Sequence, residues 1–132
     1  KKNISVSVNI SPKIEKSFLK KLEVNDFKQL TRIIGVYLDN AIEASSLSNS
    51  KSMGIEVYKE DENIKIIITN SFDGEIDEKV GNTIFSTKGK NRGHGLMLVS
   101  SIINNNNLFY QKREIRKNVY VQILVVKNKK SI

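Results

Sequence analysis

A single helical stripe constrains this chain more than any other feature. Leu30, Ile33, Ile34, Tyr37, Leu38, Ala41 and Ile42 recur at i, i+3, i+4, i+7, i+8, i+11 and i+12. That spacing lines side chains along one face of a helix that turns about 100° per residue. An apolar face of this length has to be buried against a second layer. Asp26 followed by Gln29 resembles a capping box and predicts where the helix begins. The Ser- and Asn-rich run at residues 45–52 predicts a loop after it.

The second layer is written in period-two segments. Ile4, Val6, Val8 and Ile10 alternate with Ser and Asn, predicting a half-buried strand that Pro12 ends. Residues 13–24 read as a short irregular or helical connection. Residues 53–58 alternate, Glu60-Asp61-Glu62-Asn63 turns, and residues 64–69 are β-branched enough for the middle of a sheet. Residues 70–91 read as irregular, with an apolar anchor at Ile84-Phe85. A second helix starts near Gly95 and buries Leu96, Val99, Ile102 and Ile103. The asparagine run at 104–107 ends it, because Asn tolerates the left-handed conformation of a helix terminus. Residues 108–115 and 119–127 make a closing hairpin across Arg116-Lys117-Asn118. The predicted class is α/β (α+β), a two-layer sandwich with a mixed sheet of about five strands covered by helices on one face, forming one domain over residues 1–132.

Composition narrows the chemistry. The chain has no cysteine and a single histidine, His94, so thiolate sites and histidine-based zinc sites are excluded. A metal would need oxygen ligands, which favours Mg²⁺ or a similar hard ion. The net charge of +8 attracts polyanions. The basic residues are scattered, however, and aromatic residues are not interleaved with them as a base-stacking platform requires. A solvated basic surface is the expectation, with no nucleic-acid partner. No run reaches the roughly 20 apolar residues of a membrane span, and the first residues lack a signal-peptide pattern. Lys1 rather than Met opens the chain, so a longer parent is expected, whose missing N-terminal part could hold membrane segments.

Two motifs carry the function. In Leu38-Asp39-Asn40-Ala41-Ile42-Glu43-Ala44, Asn40 lies to one side of the apolar stripe with Val36 and Glu43 on the same flank, while Asp39 points to solvent. Asn40 can offer a carbonyl oxygen to Mg²⁺, and Glu43 can take a metal-bound water or orient Asn40. The second motif, Ser86-Thr87-Lys88-Gly89-Lys90-Asn91-Arg92-Gly93-His94-Gly95-Leu96, is a basic glycine-rich loop running into a helix. Lys88, Lys90 and Arg92 supply cations, and the amides around Gly93 and Gly95 form an anion cradle at a helix N-terminus. The loop matches neither a Walker motif nor a dinucleotide fingerprint. His94, set between two glycines, has little to fix its ring and reads as a spacer or incidental phosphate contact rather than a general base.

Together these segments resemble the ATP-binding catalytic domain of sensor histidine kinases, within the gyrase, Hsp90, histidine kinase and MutL superfamily. Residues 38–44 look like the N box and Asn70-Ser71-Phe72-Asp73-Gly74 occupies the place of the G1 box. Ile84-Phe85-Ser86-Thr87-Lys88 looks like the F box, and Gly93-His94-Gly95-Leu96 is similar to the G2 box. Asn-Ala-Ile-Glu-Ala-Ser, Thr-Asn-Ser-Phe and Ser-Thr-Lys-Gly-x-Asn-Arg-Gly-x-Gly-Leu resemble the accessory-gene-regulator-type peptide quorum-sensing kinases of Gram-positive bacteria.

The resemblance implies a Bergerat-type ATP-binding fold with ATP and Mg²⁺ as cofactors. It also implies transfer of the γ-phosphoryl group to a histidine on an upstream dimerisation segment. Asn40 would hold Mg²⁺ with Glu43 in support. Asn70, Gly74, Lys88, Lys90, Arg92, Gly93, His94, Gly95 and Leu96 would join Asn40 around the nucleotide. The parent would be a homodimeric membrane sensor with this domain in the cytoplasm and a response regulator as its partner. Three positions depart from the family pattern: Asn70 stands for the G1 aspartate, Phe72 for the first G1 glycine, and Val36 for an earlier N-box asparagine. The stretch between Phe85 and Gly93 is also short, so a small lid and weak nucleotide affinity are expected. A nucleotide-binding regulatory module without phosphotransfer is the alternative, and a basic nucleic-acid-binding domain ranks behind it.

Overall fold

The computed structural model describes residues 3–12, 14, 22–73 and 93–128. Within them the order is β1 (Ser5–Ile10), α1 (Val24–Ser46), β2 (Ser52–Glu60), β3 (Asn63–Ser71), α2 (Gly93–Asn104), β4 (Phe109–Arg116) and β5 (Val119–Val126). The strands form one sheet in the order β1-β2-β3-β5-β4. β1 runs parallel to β2 because α1 is the crossover between them, and every other pairing is antiparallel. The expected two-layer arrangement of a five-stranded mixed sheet with helices is present.

Two-residue turns set the register of both hairpins. Glu60 pairs with Asn63 across Asp61-Glu62, and Arg116 pairs with Val119 across Lys117-Asn118. Asp61 and Glu62 have φ of 51° and 70°, the positive values that a twist-matched hairpin turn demands. Along β3 and β5, Ile64, Ile66, Ile68 and Asn70 lie opposite Val126, Leu124, Gln122 and Tyr120. These positions share the inner face, where Ile68, Leu124 and Val126 are fully buried.

α1 covers that face with Leu30, Ile33, Tyr37, Ala41 and Ala44. The buried stripe is narrower than the sequence pattern. Ile34 and Leu38 are half-buried and Ile42 is exposed, because they lie on the flank that rolls away from the sheet. Tyr37 locks the helix laterally. Its hydroxyl donates to Gln111 Oε1 on β4 (3.0 Å), and its carbonyl accepts from Gln122 Nε2 on β5 (3.3 Å).

Four local expectations are corrected. α1 starts at Val24, with Glu23 as its N-cap and no side-chain cap bond. Asp26 and Gln29 therefore lie inside the first turns, where both accept from Asn106 Nδ2 (2.9 and 2.8 Å) and staple the end of α2 to the start of α1. None of the asparagines at 104–107 has a positive φ. Instead Asn105 closes the helix by donating from its backbone N and its Nδ2 to the carbonyl of Ser101 (3.2 and 2.8 Å). The loop expected at 45–52 is present but shorter, spanning residues 47–51, since α1 continues to Ser46 and β2 begins at Ser52, and both Ser45 and Ser48 are buried. β1 forms as expected but is not half-buried: Val6, Val8 and Ile10 are 51%, 58% and 59% exposed.

Glu62 holds a left-handed conformation with a β-carbon and gains only an exposed ion pair with Lys59 at 3.5 Å. Glu62→Gly should raise stability by about 0.5–1 kcal/mol in urea unfolding. Burial raises the phenol of Tyr37 well above its ordinary value of 10.0. Burial also raises Tyr120, against the opposing pull of Arg113. The folded state thus keeps these protons while the unfolded state releases them, so stability is lost as pH rises above the unfolded value. Unfolding free energy should fall with pH above about 10, and Tyr37→Phe should make that fall shallower.

Candidate functional site

Asn40 borders the buried stripe of α1, three residues after Tyr37 and one turn before Ala44. Its side chain is half-buried, and Nδ2 is buried with no hydrogen-bond partner among the described residues. An orphaned buried donor costs about 1–3 kcal/mol. Glu43 is half-buried on the same flank, and Asp39 is exposed as its helical position requires.

Asn70 is the last inward-facing residue of β3, set between Met53 of β2 and Tyr120 of β5. It is 1% exposed. Its Nδ2 donates to the carbonyl of Ser71 (3.1 Å), while Oδ1 is buried and unpartnered among the described residues. With the amide nitrogen committed, the carbonyl oxygen is the group left to meet a donor. Tyr120 is buried beside it and packs with Ala44 of α1 and with Phe72. Phe72 extends the β3–β5 pairing by donating its N–H to the carbonyl of Asn118 (3.0 Å). An aromatic wall therefore stands next to the free oxygen of Asn70. Ala44 lies one turn beyond Asn40, so Asn40 and Asn70 belong to the same end of the helix–sheet interface, while a third carboxamide, Gln122, has a buried Oε1, unpartnered among the described residues, further along β5.

Residues 93–95 form the first turn of α2, which begins two residues earlier than the sequence pattern places it. The N–H groups of Gly93, His94, Gly95 and Leu96 are therefore the four that have no intrahelical acceptor. A β-carbon at Gly95 would lie 3.0 Å from Val36 Cγ1. The missing side chain thus lets α2 start close against α1, on the flank that carries Asn40. Leu96 is buried in the core and contributes only its backbone to the turn. Gly74, Lys88, Lys90, Arg92 and the Ile84-Phe85 anchor lie outside the described residues. Among the described residues no cluster of three or more His, Cys, Asp or Glu side chains could hold a metal.

A supporting group escaped the sequence reading. Ser48 Oγ and Ser71 Oγ share a hydrogen bond of 2.6 Å, and Ser48 also binds the carbonyl of Ser45 (2.8 Å). Ser71 Oγ accepts from Ser52 N (3.0 Å) and donates to Ser52 O (3.1 Å). Asp73 Oδ2 accepts from Asn49 N (2.6 Å). These bonds tie the end of α1 to the ends of β2 and β3, directly beside Asn70. The only hint in the chain was a serine-rich run immediately after an apolar helix, a pattern that an ordinary loop shares.

Residues 23–126 match the model of the GHKL domain family. Among solved structures, the catalytic domain of the histidine kinase ThkA in a nucleotide-free form is 22% identical, with a TM-score of 0.71 over 95% of this chain and 79% of that one. The Acinetobacter baumannii histidine kinase AdeS is 13% identical, with a TM-score of 0.66 over 97% of this chain and 56% of that one. Full-length ShkA in complex with AMPPNP is 14% identical, with a TM-score of 0.70 over 95% of this chain and 26% of that one. No curated protein matches the sequence significantly. The chain belongs to the GHKL domain family and has the fold of histidine kinase catalytic domains.

Proposed function

We propose that this domain binds ATP with Mg²⁺ and serves as the catalytic domain of a sensor histidine kinase of the peptide quorum-sensing type. In this reading its parent is a homodimeric bacterial membrane sensor that presents the domain to the cytoplasm and signals to a response regulator. The observation that supports the reading is that two of the three carboxamides with a buried, unpartnered atom among the described residues, Asn40 Nδ2 and Asn70 Oδ1, stand at one end of the helix–sheet interface, the third being Gln122 Oε1 on β5. Buried polar atoms without partners are uncommon in folded proteins, and a polar ligand would account for the two at this end of the interface.

The residues fit such a ligand. Asn70 presents an acceptor that suits the exocyclic amine of adenine, and Phe72 with Tyr120 gives a flat apolar wall for the ring. Asn40 would hold Mg²⁺ through its amide oxygen, a hard donor appropriate to that ion, with Glu43 orienting the metal's water shell. The first-turn amides of α2, from Gly93 through His94 and Gly95 to Leu96, suit phosphate oxygens, and Lys88, Lys90 and Arg92 would neutralise their charge. When bound, Mg²⁺-ATP supplies the phosphoryl group to be transferred. The domain's own contribution is positioning and charge stabilisation, which is most of what phosphoryl transfer requires of a protein. The single histidine, His94, occupies the phosphate turn, so the acceptor histidine belongs to the dimerisation segment.

Isothermal titration should show ATP binding that Mg²⁺ strengthens. Asn70→Ala should weaken both ATP and ADP by about 1–3 kcal/mol, the cost of a lost buried hydrogen bond. Asn40→Ala should abolish the strengthening by Mg²⁺ while leaving metal-free ADP binding nearly unchanged. This domain alone should not autophosphorylate, whereas joined to its dimerisation segment it should transfer phosphate, and Asn40→Asp or Gly95→Ala should stop that transfer. Retained nucleotide binding with no transfer in the joined protein would instead favour a regulatory module.

A further inference from the structure

The two edges of the sheet are built on opposite principles. The outer strand β4 carries Lys112, Arg113, Glu114 and Arg116, the charged residues that ordinarily keep an edge from pairing. The outer strand β1 carries none, and residues 3–12 are ten consecutive uncharged residues in a chain of net charge +8. β1 matches β2 over six unbroken pairs, so no bulge deflects it, and its one neighbouring proline, Pro12, lies beyond the strand. Ser5 N donates to Lys51 O (2.9 Å) and Ser11 N donates to Val57 O (2.8 Å). The period of two then turns the N–H and C=O groups of Val6, Val8 and Ile10 outwards. Among the described residues no strand meets them. The side chains of these three residues are 51%, 58% and 59% exposed.

We propose that the free edge of β1 pairs antiparallel with β1 of a second copy of this chain, joining the two sheets about a twofold axis at Val8. The occupant follows from the strand's own pattern. Reversal about Val8 sets Val6 opposite Ile10 of the second copy, and sets Ser7 opposite Asn9. Apolar side chains thus meet apolar ones on one face, and small polar ones meet on the other. All of the outward backbone groups of Val6, Val8 and Ile10 find partners in that register. Charge points the same way. Two copies of net charge +8 repel through most of their surfaces, and β1 offers a strip along which no like charges are brought together. An acidic partner would find no cation there to pair with. One strand pairing is small beside the roughly 1,200–2,000 Å² of a stable interface, so the association is weak and reversible.

Sedimentation equilibrium of the 132-residue chain from micromolar to near-millimolar concentration tests the proposal. The weight-average mass should rise from 15.0 kDa towards twice that value. The dimer should tighten with added salt, because screening removes repulsion while the interface itself is uncharged. Val8→Lys and Ile10→Lys, both at exposed positions, should hold the mass at the monomer value with an unchanged circular dichroism spectrum. Lys112→Glu, on the other edge, should leave the dimer intact. A wild-type chain that stays monomeric throughout would overturn the proposal. So would a dimer that survives both lysine variants, one that loosens with salt, or one that Lys112→Glu abolishes. Nucleotide binding plays no part in these measurements, so their outcome is independent of the proposed kinase function.

Discussion

The seating of α1 on the inner face of β3 and β5 is the constraint on which the rest of this structure depends. Ile33, Tyr37 and Ala41 are sealed against Ile66, Ile68 and Leu124, and excluding water from that surface is the main stabilising term available to a domain of this size. Apolar contact alone would tolerate sliding along the helix axis. Polar bonds remove that freedom at three places: Asn106 grips Asp26 and Gln29 at the start of α1, Gln111 and Gln122 hold Tyr37 in the middle, and Ser71 and Asp73 hold Ser48 and Asn49 at the end. Because Asn40 lies one turn from Tyr37, the same bonds define where its carboxamide stands.

This arrangement explains how a site can keep unsatisfied polar atoms in a folded protein. Asn40 and Asn70 sit on elements whose positions are set by packing: Asn70 spends its nitrogen on the carbonyl of Ser71 and leaves its oxygen without a donor, and Asn40 leaves its nitrogen without an acceptor among the described residues. The cost of leaving them unpaired is borne by the core. Gly95 belongs to the same design, because its missing β-carbon permits the close start of α2 against Val36.

Much of the fold was legible in the chain. The amphipathic helix, the Glu60 to Asn63 turn, the closing hairpin and the second helix all form over the segments that period and turn chemistry mark, with both helices starting earlier than their local signals, because each is specified by neighbours in sequence. The misreadings share a cause. Asp26, Gln29 and Asn106 looked like local capping and terminating residues, yet they bond to one another across nearly eighty positions. Ser45 and Ser48 read as loop residues, yet both are buried, and Ser48 bonds to Ser71 at the end of β3. Ile42 looked buried, yet it lies on the flank that rolls away from the sheet. Partners distant in sequence leave no periodic trace.

The site divides in the same manner. Family resemblance alone singled out Asn70; the sequence by itself marked a carboxamide beside an apolar stripe and glycines at a helix start as candidates for the proposed chemistry. Those properties follow from side-chain type and short-range spacing. Only the tertiary structure decided that Asn70 spends its nitrogen on Ser71 and keeps its oxygen free, that Phe72 joins Tyr120 and Ala44 in a wall, and that Gly95 abuts Val36. It also decided that β1 keeps its edge and its valines exposed while β4 is shielded by charge. Orientation, orphaned atoms and exposed edges are properties of packing between segments far apart in the chain, and packing exists only once those segments have been brought together.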